Sequence, residues 1–291
     1  MSKYPKKIII SGQTHGNEWT GTYVVRHLQT LELDQMFPNL QIKLILSSPA
    51  SFELRKRYVD QDLNRSFNSK SSSTSTYEVK RAAEIASEIN SFGNGDKVFI
   101  LDLHTTTSDM GSSLVMHNVR PENLSVFSFA KTQQTDLKAY AWIEEKGLNF
   151  LNSLSEFGFA VEVGPIANNT LCATVYNKTL QTVISCLTFL NDTEKHQQEI
   201  NDREEVYMFE KNVDYPRNEN GEILAMIAPS FANSNFKTIK PGDSIFQNFD
   251  QSEIKENSFA GLTPVFINEA AYYEKNIAFT LTKKTQIKTS V

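Results

Sequence analysis

Apolar residues fall in short blocks along this chain, and the spacing inside each block separates strands from helices. Lys7-Ile8-Ile9-Ile10, stopped by Ser11-Gly12, predicts a buried strand. Tyr23, Val24, Leu28 and Leu31 then recur at helical spacing. Residues 41–46 alternate polar and apolar before Ser47-Ser48-Pro49, which predicts a second strand. Val79, Ala82, Ala83, Ala86 and Ile89 mark one face of a helix over 77–92. The clearest buried strand is 97–103, with shorter ones at 114–117 and 157–163, the last ended by Gly164-Pro165. Residues 179–190 predict another helix. Strands alternating with helices imply an α/β unit with a mixed, mostly parallel sheet over residues 1–199.

After Asp192 the pattern changes. Residues 191–205 are polar and charged and read as a linker. Beyond them come short strands, such as 265–267 and 278–281, and turns. Asn220-Gly221 offers the positive φ angles of a hairpin turn, and Pro241-Gly242-Asp243 marks another. Residues 200–291 are therefore expected to form a smaller, β-rich domain. The Ser/Thr-rich stretch 69–76 reads as a flexible surface loop.

Composition narrows the classes. The 291 residues carry a net charge of −5 without a basic stripe, which argues against a nucleic-acid partner. No apolar run approaches the roughly 20 residues that cross a bilayer. The three isoleucines after the basic N-terminus are too few for a signal peptide. Cys172 and Cys186 read as two small buried thiols in a reducing compartment, so a cytoplasmic protein is expected.

The candidate chemistry sits where strands end. Gln13-Thr14-His15-Gly16-Asn17-Glu18 follows the first strand, and three-residue spacing lets His15 and Glu18 point at one spot. His104 follows the strand at 97–103. Parallel strands would bring the two motifs to the same sheet edge, where ligands bind in open α/β sheets. Two histidines and a glutamate, with a fourth position open to water, make a catalytic zinc set. A hydrogen-bonded structural histidine fits each motif taken singly, so both readings stand at this point. The run from Arg55 to Arg65 either supplies guanidinium groups for a carboxylate or an oxyanion, or is a solvated charged loop. Glu162, among Phe159, Ala160, Val161 and Val163, is either a general base or a core carboxylate paired with an arginine. Asn268-Glu269-Ala270-Ala271-Tyr272-Tyr273-Glu274-Lys275 either lines a site or packs.

Together these segments resemble the aspartoacylase and succinylglutamate desuccinylase family. The matching stretches are 12–18, 57–65, Asp102-Leu103-His104, Val161-Glu162-Val163-Gly164-Pro165, Val213-Asp214-Tyr215-Pro216-Arg217 and 265–275, in family order. The resemblance implies a zinc carboxypeptidase-like domain with a C-terminal domain capping the active site. It implies one zinc ion held by His15, Glu18 and His104. Glu162 matches the family's general base, and Arg57 the arginine that polarises the scissile carbonyl beside the metal. Asn64, Arg65 and Tyr272 match positions that hold the substrate carboxylate. The implied substrate is a small N-acyl amino acid, N-acetyl-L-aspartate first, and the implied assembly a homodimer. One departure stands out. Vertebrate members that act on N-acetylaspartate carry an arginine about ten residues before the catalytic glutamate. Here Asn152 takes that place and 147–159 holds no arginine, with Lys138 and Lys146 the nearest cations. A deacylase of neutral or aromatic N-acyl amino acids, or a zinc carboxypeptidase, is the alternative. A non-catalytic binding module would be expected to have lost a ligand or the base, and all four are retained.

Overall fold

The computed structural model describes residues 3–67, 76–143 and 149–289. The Ser/Thr-rich stretch, apart from Thr76, and Lys146 lie outside them. Nine strands build one sheet: β1 (Lys7–Gly12), β2 (Gln41–Leu46), β3 (Val98–Thr105), β4 (Gly111–Met116), β5 (Lys138–Ala141), β6 (Phe157–Gly164), β7 (Arg203–Val213), β11 (Thr263–Val265) and β12 (Phe279–Lys288), in the order β11-β12-β7-β5-β4-β6-β3-β1-β2. The strands from β2 through β1 and β3 to β6 run parallel, as do β4–β5 and β5–β7, whereas β4–β6, β7–β12 and β12–β11 are antiparallel. The sheet is thus mixed and mostly parallel. The remaining strands, β8 (Ala225–Ile227), β9 (Ser244–Asn248) and β10 (Glu253–Lys255), form a separate antiparallel sheet.

The helices are α1 (Trp19–Leu28), α2 (Leu33–Met36), α3 (Pro49–Glu53), α4 (Tyr77–Gly93), α5 (Pro121–Gln133), α6 (Ala173–Asn191) and α7 (Thr193–His196). The strands at the sheet centre are aliphatic and buried on both faces, as the all-buried β1 isoleucines and Phe99 to Leu103 show. One core packs β1, β3 and β6 against α1, α5 and α6, and a second packs β1, β2 and β3 against α4. A further core, built on Ile227, Phe231, Phe246 and Phe279, lies under the small sheet. No helix among the described residues is long and apolar enough to cross a membrane.

Several expectations are corrected. Residues 191–205 are no linker: α7, a 3-10 turn (Gln197–Glu199) and the start of β7 occupy them. Asp192 accepts from Lys195 N at 3.1 Å and so caps α7, which a reading of polarity alone misses. The buried stripe of α4 is Glu78, Ala82, Ile85 and Ile89, with Ala83 turned to solvent. Cys186 is buried, but Cys172 is exposed because it precedes α6 in a segment that lies on the surface. The strand at 265–267 stops at Val265, since Phe266 and Asn268 take φ of +55°. In the Asn220-Gly221 turn only Gly221 has a positive φ; Asn218 instead closes the turn by accepting from Asn220 N and Glu222 N.

Candidate metal centre

The site lies at the C-terminal ends of β1, β3 and β6. Gln13, with φ of +68°, turns the chain sharply off β1, and Ser48 N donates to its carbonyl at 3.0 Å. His15 and Glu18 follow on the tight connection to α1. Gly16 between them packs against the main chain of Ser51 and Phe52. A Cβ there would lie 2.1 Å from the Ser51 carbonyl carbon, so no side chain fits. His104 is the seventh residue of β3 and stands beside Glu162 of β6 in the parallel register.

Three side chains converge. His15 Nδ1 lies 2.7 Å from Glu18 Oε1, His104 Nδ1 lies 2.9 Å from Glu18 Oε2, and the two Nδ1 atoms are 3.2 Å apart. All three residues are buried. The opposite ring nitrogens are spoken for: His15 Nε2 meets Asp62 Oδ1 at 3.1 Å, and His104 Nε2 meets Asp102 Oδ2 at 2.7 Å. With a proton on each Nε2 for its carboxylate, both Nδ1 lone pairs and the Glu18 oxygens face one another as acceptors. Such a cluster needs a cation at its centre. The 3.2 Å separation is close to the about 3.4 Å between neighbouring ligand atoms of tetrahedral zinc at 2.0–2.1 Å. Carboxylates behind both imidazoles are the usual support of a metal-binding histidine. The residues therefore fit a single metal ion.

Burial disfavours charge on His104, but Asp102 and Glu18 outweigh it and hold the ring well above the ordinary imidazole pKa. Glu18 is held well below the carboxylate range: burial pushes it up, and His15 and His104 overcome that. Asp62 is likewise depressed against its burial, by His15 and Arg57.

The other predicted side chains gather around the same cavity. His15, Glu18, Arg57, Asn64, Arg65, Glu162 and Tyr272 line it, and His104 joins them through Glu18. Arg57 is no solvated loop residue. Its Nη1 donates to Glu18 at 2.9 Å, its Nη2 and Nε to Asp62 at 3.1 and 3.3 Å, and these carboxylates raise its pKa against its burial. Asn64 Oδ1 accepts from Leu151 N at 2.8 Å. The Arg65 guanidinium lies 4.6 Å from the Phe150 ring centre and donates to the Asn64 carbonyl. Glu162 is half-buried in the cavity wall. Burial is the main reason its pKa is pushed up to about 8, with Glu18 and Glu269 adding to it and His104 and Arg57 opposing it.

Sequence reasoning named Asp62, Asp102 and Glu269 only as parts of motifs. Asp102 has a legible signal, since two residues along a strand return to the same face as His104. Glu269 has none: it accepts from Thr107 N at 2.9 Å, Ser108 N at 3.3 Å and the Thr106 hydroxyl, across more than 160 residues. The aromatic wall of Tyr140, Trp142, Phe150 and Phe266 was also unforeseen. Asn152 lines the cavity, buried, with an Oδ1 that lacks a hydrogen-bond partner. Lys138 is not among the lining residues.

Comparison with known proteins gives the family. Residues 4–190 match the succinylglutamate desuccinylase/aspartoacylase catalytic domain, and residues 202–284 the AstE/AspA barrel-sandwich hybrid domain. The chain is 40% identical to a probable aspartoacylase of Trichodesmium erythraeum, over 97% of this chain and 98% of that one. It is 31% identical to an N-acyl-aromatic-L-amino acid amidohydrolase (carboxylate-forming) of Xenopus laevis, over 98% and 96%. The crystal structure of murine aminoacylase 3 superimposes with a TM-score of 0.88 at 29% identity, covering 99% of each chain. The chain belongs to the succinylglutamate desuccinylase/aspartoacylase family and is a hydrolase of that family's deacylase type, with a buried His-Glu-His site for one metal ion.

Proposed function

We propose that the protein is a zinc-dependent amidohydrolase that cleaves the amide of an N-acyl amino acid, with His15, Glu18 and His104 as the zinc ligands. The observation that carries this is the acceptor-only cluster of two Nδ1 atoms and one carboxylate, each ring backed by an aspartate. When bound, zinc supplies Lewis acidity toward the carbonyl and brings the pKa of water to about 7.

The chain's own residues do the rest. Glu162 takes a proton from the attacking water and returns it to the leaving amine nitrogen. Its raised pKa suits both transfers near neutrality. Carboxylates engage Nε, Nη1 and Nη2 of Arg57 once each. That fixes the plane of the guanidinium and leaves two of its five N–H groups for the developing oxyanion. Arg65, Asn64 and Tyr272 hold the substrate carboxylate. The two free thiols suit a reducing compartment, and we place the protein in the cytoplasm.

For the acyl amino acid, N-acetyl-L-aspartate is the first reading, supported by relatives named as aspartoacylases. Deacylation of neutral or aromatic N-acyl amino acids is the second. The aromatic wall and the uncharged Asn152 favour it, and so does the likeness to the N-acyl-aromatic-L-amino acid amidohydrolase of Xenopus laevis. Zinc-loaded protein assayed for kcat/KM on N-acetyl-L-aspartate, N-acetyl-L-phenylalanine and a C-terminally free peptide separates these readings. Hydrolysis of the peptide alone would replace the deacylase with a carboxypeptidase. Zinc binding without any hydrolysis would leave a binding module.

A further inference from the structure

Arg57 and Asp62 meet at the metal site, yet the stretch that carries them has no regular secondary structure between α3 and the single 3-10 turn Leu63–Arg65. One carboxylate holds its backbone. Glu78, fully buried in the first turn of α4, accepts from three consecutive main-chain N–H groups. Val59 N donates to Oε1 at 2.7 Å, and Asp60 N and Gln61 N donate to Oε2 at 3.1 and 3.2 Å. Asp60 answers from the loop, its Oδ2 accepting from Tyr77 N at 2.8 Å. Burying a carboxylate is costly. Three N–H donors and the N-terminal end of α4 offset that cost here. The chain of contacts then runs on: Asp62 bonds His15 through Oδ1 and Arg57 through Oδ2, and Arg57 bonds Glu18.

We propose that Glu78 is a positioning residue of the active site. It touches neither metal nor substrate. Its carboxylate sets the conformation of the 57–62 loop and thereby the placement of Asp62 and Arg57, which in turn orient His15 and Glu18. The proposal rests on the deacylase reading only where turnover is measured.

Glu78→Gln is the direct test. One of its two side-chain atoms becomes an NH2 group facing N–H donors, so the loop cannot keep all three bonds. Turnover of the best substrate is expected to fall about tenfold or more in kcat with little change in KM, because Arg57 acts on the transition state. Zinc affinity, read by competition with a chromophoric chelator, is expected to fall about tenfold, the lower end of the loss for a disturbed ligand support. Ile89→Val, which trims the same face of α4, controls for stability alone and is expected to leave both constants unchanged. Glu78→Asp keeps the charge but falls short by one methylene, and is expected to weaken zinc binding as well; it carries the test if the glutamine variant does not fold. Wild-type kcat and zinc affinity in either folded Glu78 variant, or an equal loss in Ile89→Val, overturns the proposal. Wild-type protein that hydrolyses no N-acyl amino acid would remove the deacylase reading and leave the chelator competition to decide on Glu78.

Discussion

His104 and Glu162 stand side by side on adjacent parallel strands, paired by the β3–β6 register. A candidate metal ligand and the candidate base are therefore spaced by main-chain hydrogen bonds of the sheet, not by loops. A slip of one residue would turn either of them to the opposite face.

Glu162→Gln is expected to retain zinc and lose about 10²–10⁴-fold in kcat. Near-normal turnover in zinc-replete variant protein would remove Glu162 from the role. The pH profile gives a second reading. A base works ionised, so kcat/KM rises with pH through the pKa of Glu162. That pKa is about 8 without metal, and a bound cation lowers it, which sets the acid limb below 8. The limb is expected to vanish in the glutamine variant.

Zinc binding is expected to weaken as pH falls. His104 is held well above the ordinary imidazole pKa when no metal is present, so the ion must displace a proton. Asp102→Asn removes the carboxylate behind His104 and is expected to lower zinc affinity about 10–100-fold. Chelator competition between pH 6 and 8 checks both statements. A pH-independent affinity would contradict the first, and wild-type affinity in the variant the second.

Asn152→Arg is expected to move specificity toward a second carboxylate. Placing a guanidinium on this uncharged wall should raise kcat/KM for N-acetyl-L-aspartate over N-acetyl-L-phenylalanine by about tenfold or more. An unchanged ratio in folded variant protein would show that this wall does not read the substrate side chain.

Glu204 offers a test of stability remote from the metal. Burial pushes its carboxyl up, but bonds from Lys131, Asn201 and Ser128 prevail and hold it below the usual range. A depressed pKa contributes stability above the unfolded value and loses it as pH falls through the folded one. Glu204→Gln is therefore expected to cost about 1–3 kcal/mol at pH 7. The gap should close as pH drops below about 4. Urea unfolding at pH 7, 5 and 3.5 measures it, and a gap constant with pH would contradict the account.

The sequence was most legible where physics is local. The aliphatic runs of β1, β3 and β6 mark strands whose ends carry His15, Glu18, His104 and Glu162. Helix α5 was invisible for the opposite reason: residues 122–130 are all buried, so no polar face gives it a helical stripe. Strand β5, four residues long, is too short to show a period. Glu78 carries no signal in the sequence, because its three partners become neighbours only when the 57–62 loop folds back over α4. Arg57 was ambiguous for the same reason, since neither Glu18 nor Asp62 announces in sequence that it will face a guanidinium.

The pairing of β5 with β7 joins what the chain's composition divides. Tyr140 and Ala141 bond in parallel register to Tyr207 and Met208, so the last third of the molecule is hydrogen-bonded into the same sheet that carries the metal ligands. Cutting the chain near residue 200 would bare the open edge of β5 and strip away Glu269 and Tyr272, which close the cavity from the far side. Swapping the C-terminal segment between relatives is therefore expected to change the sheet's edge and the enclosure of the cavity in one step.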